Sequence, residues 1–135
     1  MADFTISVEG AERLAGKFRE AARSSPGEFD KTQGKWARST AGVLRRKGYP
    51  PQRPGQTYVR TRRLKRGFEA QRQRSLEWSI TNVAQHRGKF YAGYVIGDQQ
   101  AWMHAGRWWK MRTEIEKELP KLTKALEQDI SRLLF

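Results

Sequence analysis

The chain has 135 residues, a net charge of +13 and a 37% apolar fraction, with 30% of residues charged. One domain of this length buries about two thirds of its unfolded surface, so a core is possible. Five Trp, six Phe and four Tyr argue against a disordered polyelectrolyte, and the lack of cysteine excludes disulfides and thiolate metal sites.

Phe4, Ile6 and Val8 alternate with Thr5, Ser7 and Glu9, which predicts a short strand with one buried face. Ala11, Leu14, Ala15, Phe18 and Ala22 follow at helical spacing and predict a first amphipathic helix. Ser25, Pro26 and Glu28 then form a helix start: a cap, a preset first position and the far half of a capping box. The second helix is expected over about 26–46, on Phe29, Trp36 and Val43 with Thr40 and Leu44 beside them. Gly34 and Gly42 each cost it roughly 1 kcal/mol against Ala, so it must lean on tertiary packing. Arg45, Arg46, Lys47 and Gly48 suit its end, cations for the dipole and Gly as terminator.

Charge is concentrated here. Residues 38–74 hold twelve of the 27 Lys and Arg against a single acid, Glu69, a net +11. Three prolines and two glycines within 48–57 forbid a regular helix. A single α+β domain over 1–135 is therefore expected to carry a long basic Pro/Gly-rich loop, a projecting arm over 45–66. Such a loop implies an anionic partner, nucleic acid or an acidic protein surface.

Beyond the loop, Leu64, Arg66, Phe68 and Ala70 alternate weakly, and Leu76, Trp78 and Ile80 clearly. Two antiparallel strands with a polar turn near 71–74 are expected. Residues 90–97 form a third strand or a short helical turn, since the run is too short for periodicity to decide. Residues 98–112 are aromatic, basic and irregular. Ile115, Leu119, Leu122, Leu126, Ile130 and Leu133 mark a last helix, which Pro120 either kinks or displaces to a start near Leu119. The expected architecture is a small antiparallel sheet of three to four strands packed against two to three helices. Phe4, Leu14, Phe18, Trp36, Leu76, Trp78, Leu122 and Leu126 are its expected core.

No signal peptide is apparent and the longest near-apolar run, 91–97, is far too short to span a bilayer, so a soluble protein made in the cytosol is expected, with no membrane partner. His86 and His104 have no ligand-spaced companions, so no metal and no cofactor are expected. Arg87, Lys89, Tyr91 and His104 carry the residue types of a small basic ribonuclease, but no spacing demands that chemistry. Trp102, Trp108 and Trp109, with His104, Arg107 and Lys110, suit an interface, stacked bases or a core edge. The run Arg60, Arg62, Arg63, Lys65 and Arg66 has the density of a phosphate-contacting segment, though such runs are usually solvated faces.

The order of elements, with Tyr58, Val59, Arg60 and Thr61 leading to Leu64, then Tyr91, Ala92, Tyr94, Val95 and Gly97 before a terminal helix, resembles the neck and tail-completion proteins of long-tailed bacteriophages. Thr61 and Leu64 match that family's Thr-Gly-x-Leu-x-x-Ser motif, while Arg62 and Gly67 depart from it. Tyr91, Ala92 and Val95 match a second, Tyr-Ala-x-x-Val-Glu-x-Gly, with Ile96, Gly97 and Asp98 departing from its acidic end. The resemblance implies a non-enzymatic virion component at the head–tail joint. Its partners would be copies of itself in a ring, commonly a hexamer, connector or portal-side and tail-tube-side proteins, and genomic DNA in the lumen. Arg45, Arg46, Lys47, Arg53, Arg60, Arg62, Arg63, Lys65 and Arg66 would then form a partner- or DNA-facing arm. Tyr49, Tyr58, Trp102, Trp108, Trp109 and Arg107 would form an inter-subunit contact. A free nucleic-acid-binding protein is the alternative, and the ribonuclease a third.

Overall fold

The computed structural model describes residues 5–8, 26–51 and 62–134, with the backbone alone for 5–8 and 134. The expected first helix, Phe4, Leu14, Phe18, Arg53, Tyr58 and Arg60 lie outside these residues. The described elements run β1 (Thr5–Val8), α1 (Pro26–Arg46), α2 (Arg63–Arg66), β2 (Phe68–Arg74), β3 (Glu77–Asn82), β4 (Gln85–His86), β5 (Lys89–Phe90), α3 (Ala92–Ile96) and α4 (Met111–Leu134). The α+β class is as expected. The main sheet has three antiparallel strands in the order β1-β3-β2, and β4 and β5 form a separate hairpin.

Two sequence expectations are corrected. Leu64 belongs to the short helix α2, not to a strand, and its side chain is buried. The turn lies at 75–76 rather than 71–74, because a bulge between Arg72 and Arg74 absorbs one residue and lengthens β2. Of the two readings left open for 90–97, the short helical turn is the one formed, as α3, with Phe90 in β5; Ala92 and Ile96, four apart, turn one helical face into the core. Helix α4 runs unbroken through Pro120 from Met111.

Helices α1 and α4 pack antiparallel. Thr32 Oγ1 donates to Asp129, Trp36 Nε1 donates to the Glu118 carbonyl at 2.8 Å, and Lys47 Nζ pairs with Glu114 at 3.0 Å. Between them lie Phe29, Ala37, Ala41 and Leu44 of α1 with Met111, Ile115, Leu122 and Leu126 of α4, all buried. Burial at 29, 33, 34, 36, 37, 40, 41 and 44 is a helical stripe that includes the expected Phe29, Trp36, Thr40 and Leu44, while Val43 is only partly buried.

One indole, that of Trp78, seats the sheet on α1. Asp30, Gly34 and Arg38 are spaced by fours and form its seat. Asp30 Oδ1 accepts from Trp78 Nε1 at 3.2 Å, and the Arg38 guanidinium lies over the ring at 5.3 Å. The ring lies directly on Gly34, where a Cβ would come within 3.0 Å of Cζ2, Cη2 and Cε2. The glycine that costs the helix propensity therefore makes room for the sheet.

Asp30 also holds the β2–β3 turn. It accepts from Leu76 N at 2.9 Å and from Arg72 Nε at 2.8 Å. Leu76 stands at φ 62°, a left-handed conformation unfavourable for a γ-branched residue, and is half-buried against the core. Burial pushes the Asp30 carboxyl up, but the hydrogen bonds from Leu76, Arg72 and Trp78 and the charge of Arg72 outweigh it, and the pKa lies below the ordinary 3.8.

Candidate nucleic-acid and partner interface

Of the cations singled out in the sequence, Arg53 and Arg60 lie outside the described residues. Arg45, Lys47 and Lys65 are engaged within the subunit. Arg45 donates through Nε and Nη2 to the Phe68 carbonyl at 3.1 and 2.8 Å, which ties the start of β2 to the end of α1. Lys47 pairs with Glu114 and lies 5.9 Å from the Trp109 ring centroid. Burial raises the Glu114 pKa, but Lys47 and Lys117 outweigh it and bring the carboxyl below its ordinary value. Lys65 Nζ lies over the Tyr49 ring at 5.0 Å. Arg46, Arg62, Arg63 and Arg66 are exposed. Within the expected arm over 45–66, residues 45–51 and 62–66 are thus stems held on the body.

The aromatic segment does the holding. Trp109 Nε1 donates to the Gly48 carbonyl at 3.1 Å, and Arg107 Nη2 to the Pro51 carbonyl at 2.5 Å. Tyr49 packs against Trp108 with ring centroids 5.0 Å apart, and its hydroxyl accepts from Lys65 N at 3.0 Å. Tyr49 therefore bridges the stem before the loop to the stem after it. Behind this clasp Phe68 stacks on Trp109 at 6.1 Å, and His104 meets Trp108 edge-on at 6.1 Å. Gln100 Nε2 donates to the Val95 and Trp108 carbonyls, closing the 101–108 turns onto α3.

Trp102 differs from its neighbours. It is 82% exposed, and Met103 and Tyr94 are exposed with it. Ala101 N donates to the Tyr94 carbonyl at 2.8 Å, which places the base of this turn against α3. Of the six residues expected at an inter-subunit contact, Tyr49, Trp108, Trp109 and Arg107 are engaged in the clasp and Trp102 faces outward.

The ribonuclease residues are placed as follows. Arg87 and Lys89 lie on the β4–β5 hairpin, Tyr91 precedes α3, and His104 packs on Trp108. Burial and the neighbouring Tyr49 push the Tyr91 phenol up, against the opposing pull of Arg63. At neutral pH it is a hydrogen-bond donor, not a base. Among the described residues no group of three His, Cys, Asp or Glu is placed to hold a metal ion, and no helix is long and apolar enough to cross a membrane.

Sequence reasoning did not join the β4–β5 hairpin to the basic run. Arg87 and Gly88, both at positive φ (51° and 77°), make the two-residue turn of that hairpin. Asn or Asp is the usual first residue of such a turn, so Arg-Gly is a faint signal. No family model, no curated protein and no solved structure matches the chain.

Proposed function

We propose that this protein is a non-enzymatic structural subunit of a bacteriophage virion, made in the host cytoplasm and assembled at the head–tail joint. Copies form a ring around the DNA passage between a connector- or portal-side protein and a tail-tube-side protein. The resemblance in element order and in Thr61, Leu64, Tyr91, Ala92 and Val95 supports this class. The observation that carries it is the clasp: Tyr49, Arg107 and Trp109 anchor the chain on either side of a Pro-rich basic loop, as a docking arm requires.

A ring multiplies interactions that are individually weak. An exposed ion pair contributes roughly 0–1 kcal/mol. Repeated around a ring at high effective concentration, such pairs hold a joint. Trp102 would supply the apolar part of the interface between neighbours. The alternative, a free nucleic-acid-binding protein, uses the same exposed cations. The third, a small ribonuclease, requires cleavage that depends on Tyr91 or His104.

The test is deletion of the gene from the genome that carries it. Filled heads and unattached tails are expected, with joined particles restored by the chain supplied in trans. Restoration should fail with Arg46, Arg62, Arg63 and Arg66, all exposed, changed to Glu, in a variant whose melting temperature shows that it folds. Joined, infectious particles without the chain would overturn the proposal.

A further inference from the structure

Two arginines occupy backbone positions where glycine or asparagine is the ordinary residue. Arg62, ahead of α2, has φ 63°, and Arg87, at the tip of the β4–β5 hairpin, has φ 51°. Strain of this kind concentrates where a side chain must be presented in a particular direction. Both arginines are exposed.

The fold brings their two elements together. Asn82 Nδ2 donates to the Leu64 carbonyl at 2.8 Å, and Val83 N donates to the Gly67 carbonyl at 2.9 Å. Gly67 allows the approach: a Cβ there would meet Asn82 Oδ1 at 2.6 Å and Ala84 N at 2.8 Å. Arg63 Nη1 then lies 3.4 Å from His86 Nδ1, which links α2 directly to the hairpin. Arg62, Arg63, Arg66, His86, Arg87 and Lys89 consequently share one surface, and all are exposed.

The charges of Arg62, Arg87 and Lys89 are not consumed at home. Lys47, Arg72, Arg74, Arg112, Lys117, Lys121 and Arg132 all enter ion pairs within the subunit. Among the described residues none pairs Arg62, Arg87 or Lys89 with a carboxylate. Residues 83–97 contain no acid at all. On β2, Glu69 accepts from Gln71, and at the start of β3 Glu77 pairs with Arg74.

We propose that this surface, formed by α2 and the β4–β5 hairpin, docks on the phosphate backbone of double-stranded DNA. Its composition selects that partner over an acidic protein. Specific protein interfaces are centred on apolar or aromatic anchors. The exposed large hydrophobics of the described residues are Tyr94, Trp102, Met103 and Leu133, none of them within 62–66 or 85–89. The same lack of an exposed aromatic removes the stacking platform that single strands need. Fixed cations on a rigid pair of elements suit phosphates, which position a protein without reading sequence. The proposal rests on the ring assignment only for its setting: in a ring, this is the face turned to the DNA passage.

The experiment is fluorescence anisotropy of the full chain with a labelled duplex of about 20 base pairs and arbitrary sequence, across a salt series. Arg87→Gly with Lys89→Ala removes two charges, and glycine relieves the left-handed backbone at 87, so the melting temperature should hold or rise. Binding at low salt should fall at least about tenfold, and the log–log salt slope should drop by roughly 2, about 0.9 for each phosphate no longer neutralised. Lys35→Ala with Lys124→Ala, both exposed and of the same total charge change, should weaken binding much less. Equal weakening by the two double variants would overturn the proposal, as would a polyglutamate peptide that binds as tightly as the duplex. Because the assay uses isolated protein, its outcome is separate from that of gene deletion. A flat result here leaves the head–tail assignment standing, and joined particles there leave the DNA surface standing.

Discussion

Gly34 and Gly42 lie in the same helix, and helix propensity treats them alike: each should gain roughly 0.8–1 kcal/mol on change to Ala. Tertiary structure separates them. At Gly42 the nearest atoms to an added Cβ are in the Arg46 guanidinium, at 3.3 Å, the far end of an exposed and flexible side chain. Gly42→Ala should therefore stabilise by about 0.5–1 kcal/mol. At Gly34 the added methyl would overlap the Trp78 indole, which cannot swing aside. Its Nε1 is bonded to Asp30, and the residue is 9% exposed on the central strand. Overpacking of this kind costs roughly 1–3 kcal/mol, with the broken indole hydrogen bond adding about 1 if the ring shifts. After the propensity gain, Gly34→Ala should be destabilised by about 1–3 kcal/mol, leaving the two variants about 1.5–4 kcal/mol apart. Urea titration followed by tryptophan fluorescence gives both values, with Trp78 itself among the reporters. If Gly34→Ala matches or exceeds the wild type, the indole seat formed by Asp30, Gly34 and Arg38 is wrong.

Asp30→Asn should lower stability at neutral pH by about 1–3 kcal/mol, since the acceptor of three hydrogen bonds loses its charge. The pKa of Asp30 is lowered by folding, so its contribution is present above the unfolded value near 3.8 and lost as pH falls through the folded value. The gap between wild type and variant should close on acidification, and a gap constant down to the lowest accessible pH would remove the charge from the explanation. Trp102→Ala should leave the unfolding free energy within about 0.5 kcal/mol, because the side chain is 82% exposed. Its effect should appear in association between copies, by light scattering or in assembled particles; a large loss of stability with unchanged association would assign the residue to the core.

Local physics settled much of the fold before any tertiary packing was considered. Helix α1 has the expected bounds because its limits are encoded nearby: Pro26 at the first position, apolar residues at helical spacing, then Arg45, Arg46 and Gly48. The alternation at Trp78 and Ile80 made β3 legible in the same way, and both are buried. Helix α4 was legible in its apolar face, but its passage through Pro120 was not. A proline removes one backbone donor, and packing against α1 through Phe29, Trp36 and Leu44 outweighs that loss.

What local pattern left open depended on partners distant in sequence. The β2–β3 turn lies later than its polar residues suggested because Asp30, from another element, holds Leu76 in a left-handed conformation. Residues 92–96 are helical because Ala92 and Ile96 find the core together. The cationic stretch shows the same division most clearly. Sequence alone determined that residues 38–74 carry a net +11 interrupted by prolines, a composition that suits an anionic partner. Only the tertiary structure decided which charges are committed at home and which face outward. Arg45 caps a strand carbonyl, Lys47 meets Glu114, and Lys65 covers Tyr49, while Arg63 reaches His86 on a second element and Arg62, Arg87 and Lys89 are exposed. Charge is additive along a chain and visible in composition. Its availability depends on which carboxylates, carbonyls and rings the fold brings within a few ångströms, and that is a property of the packed molecule.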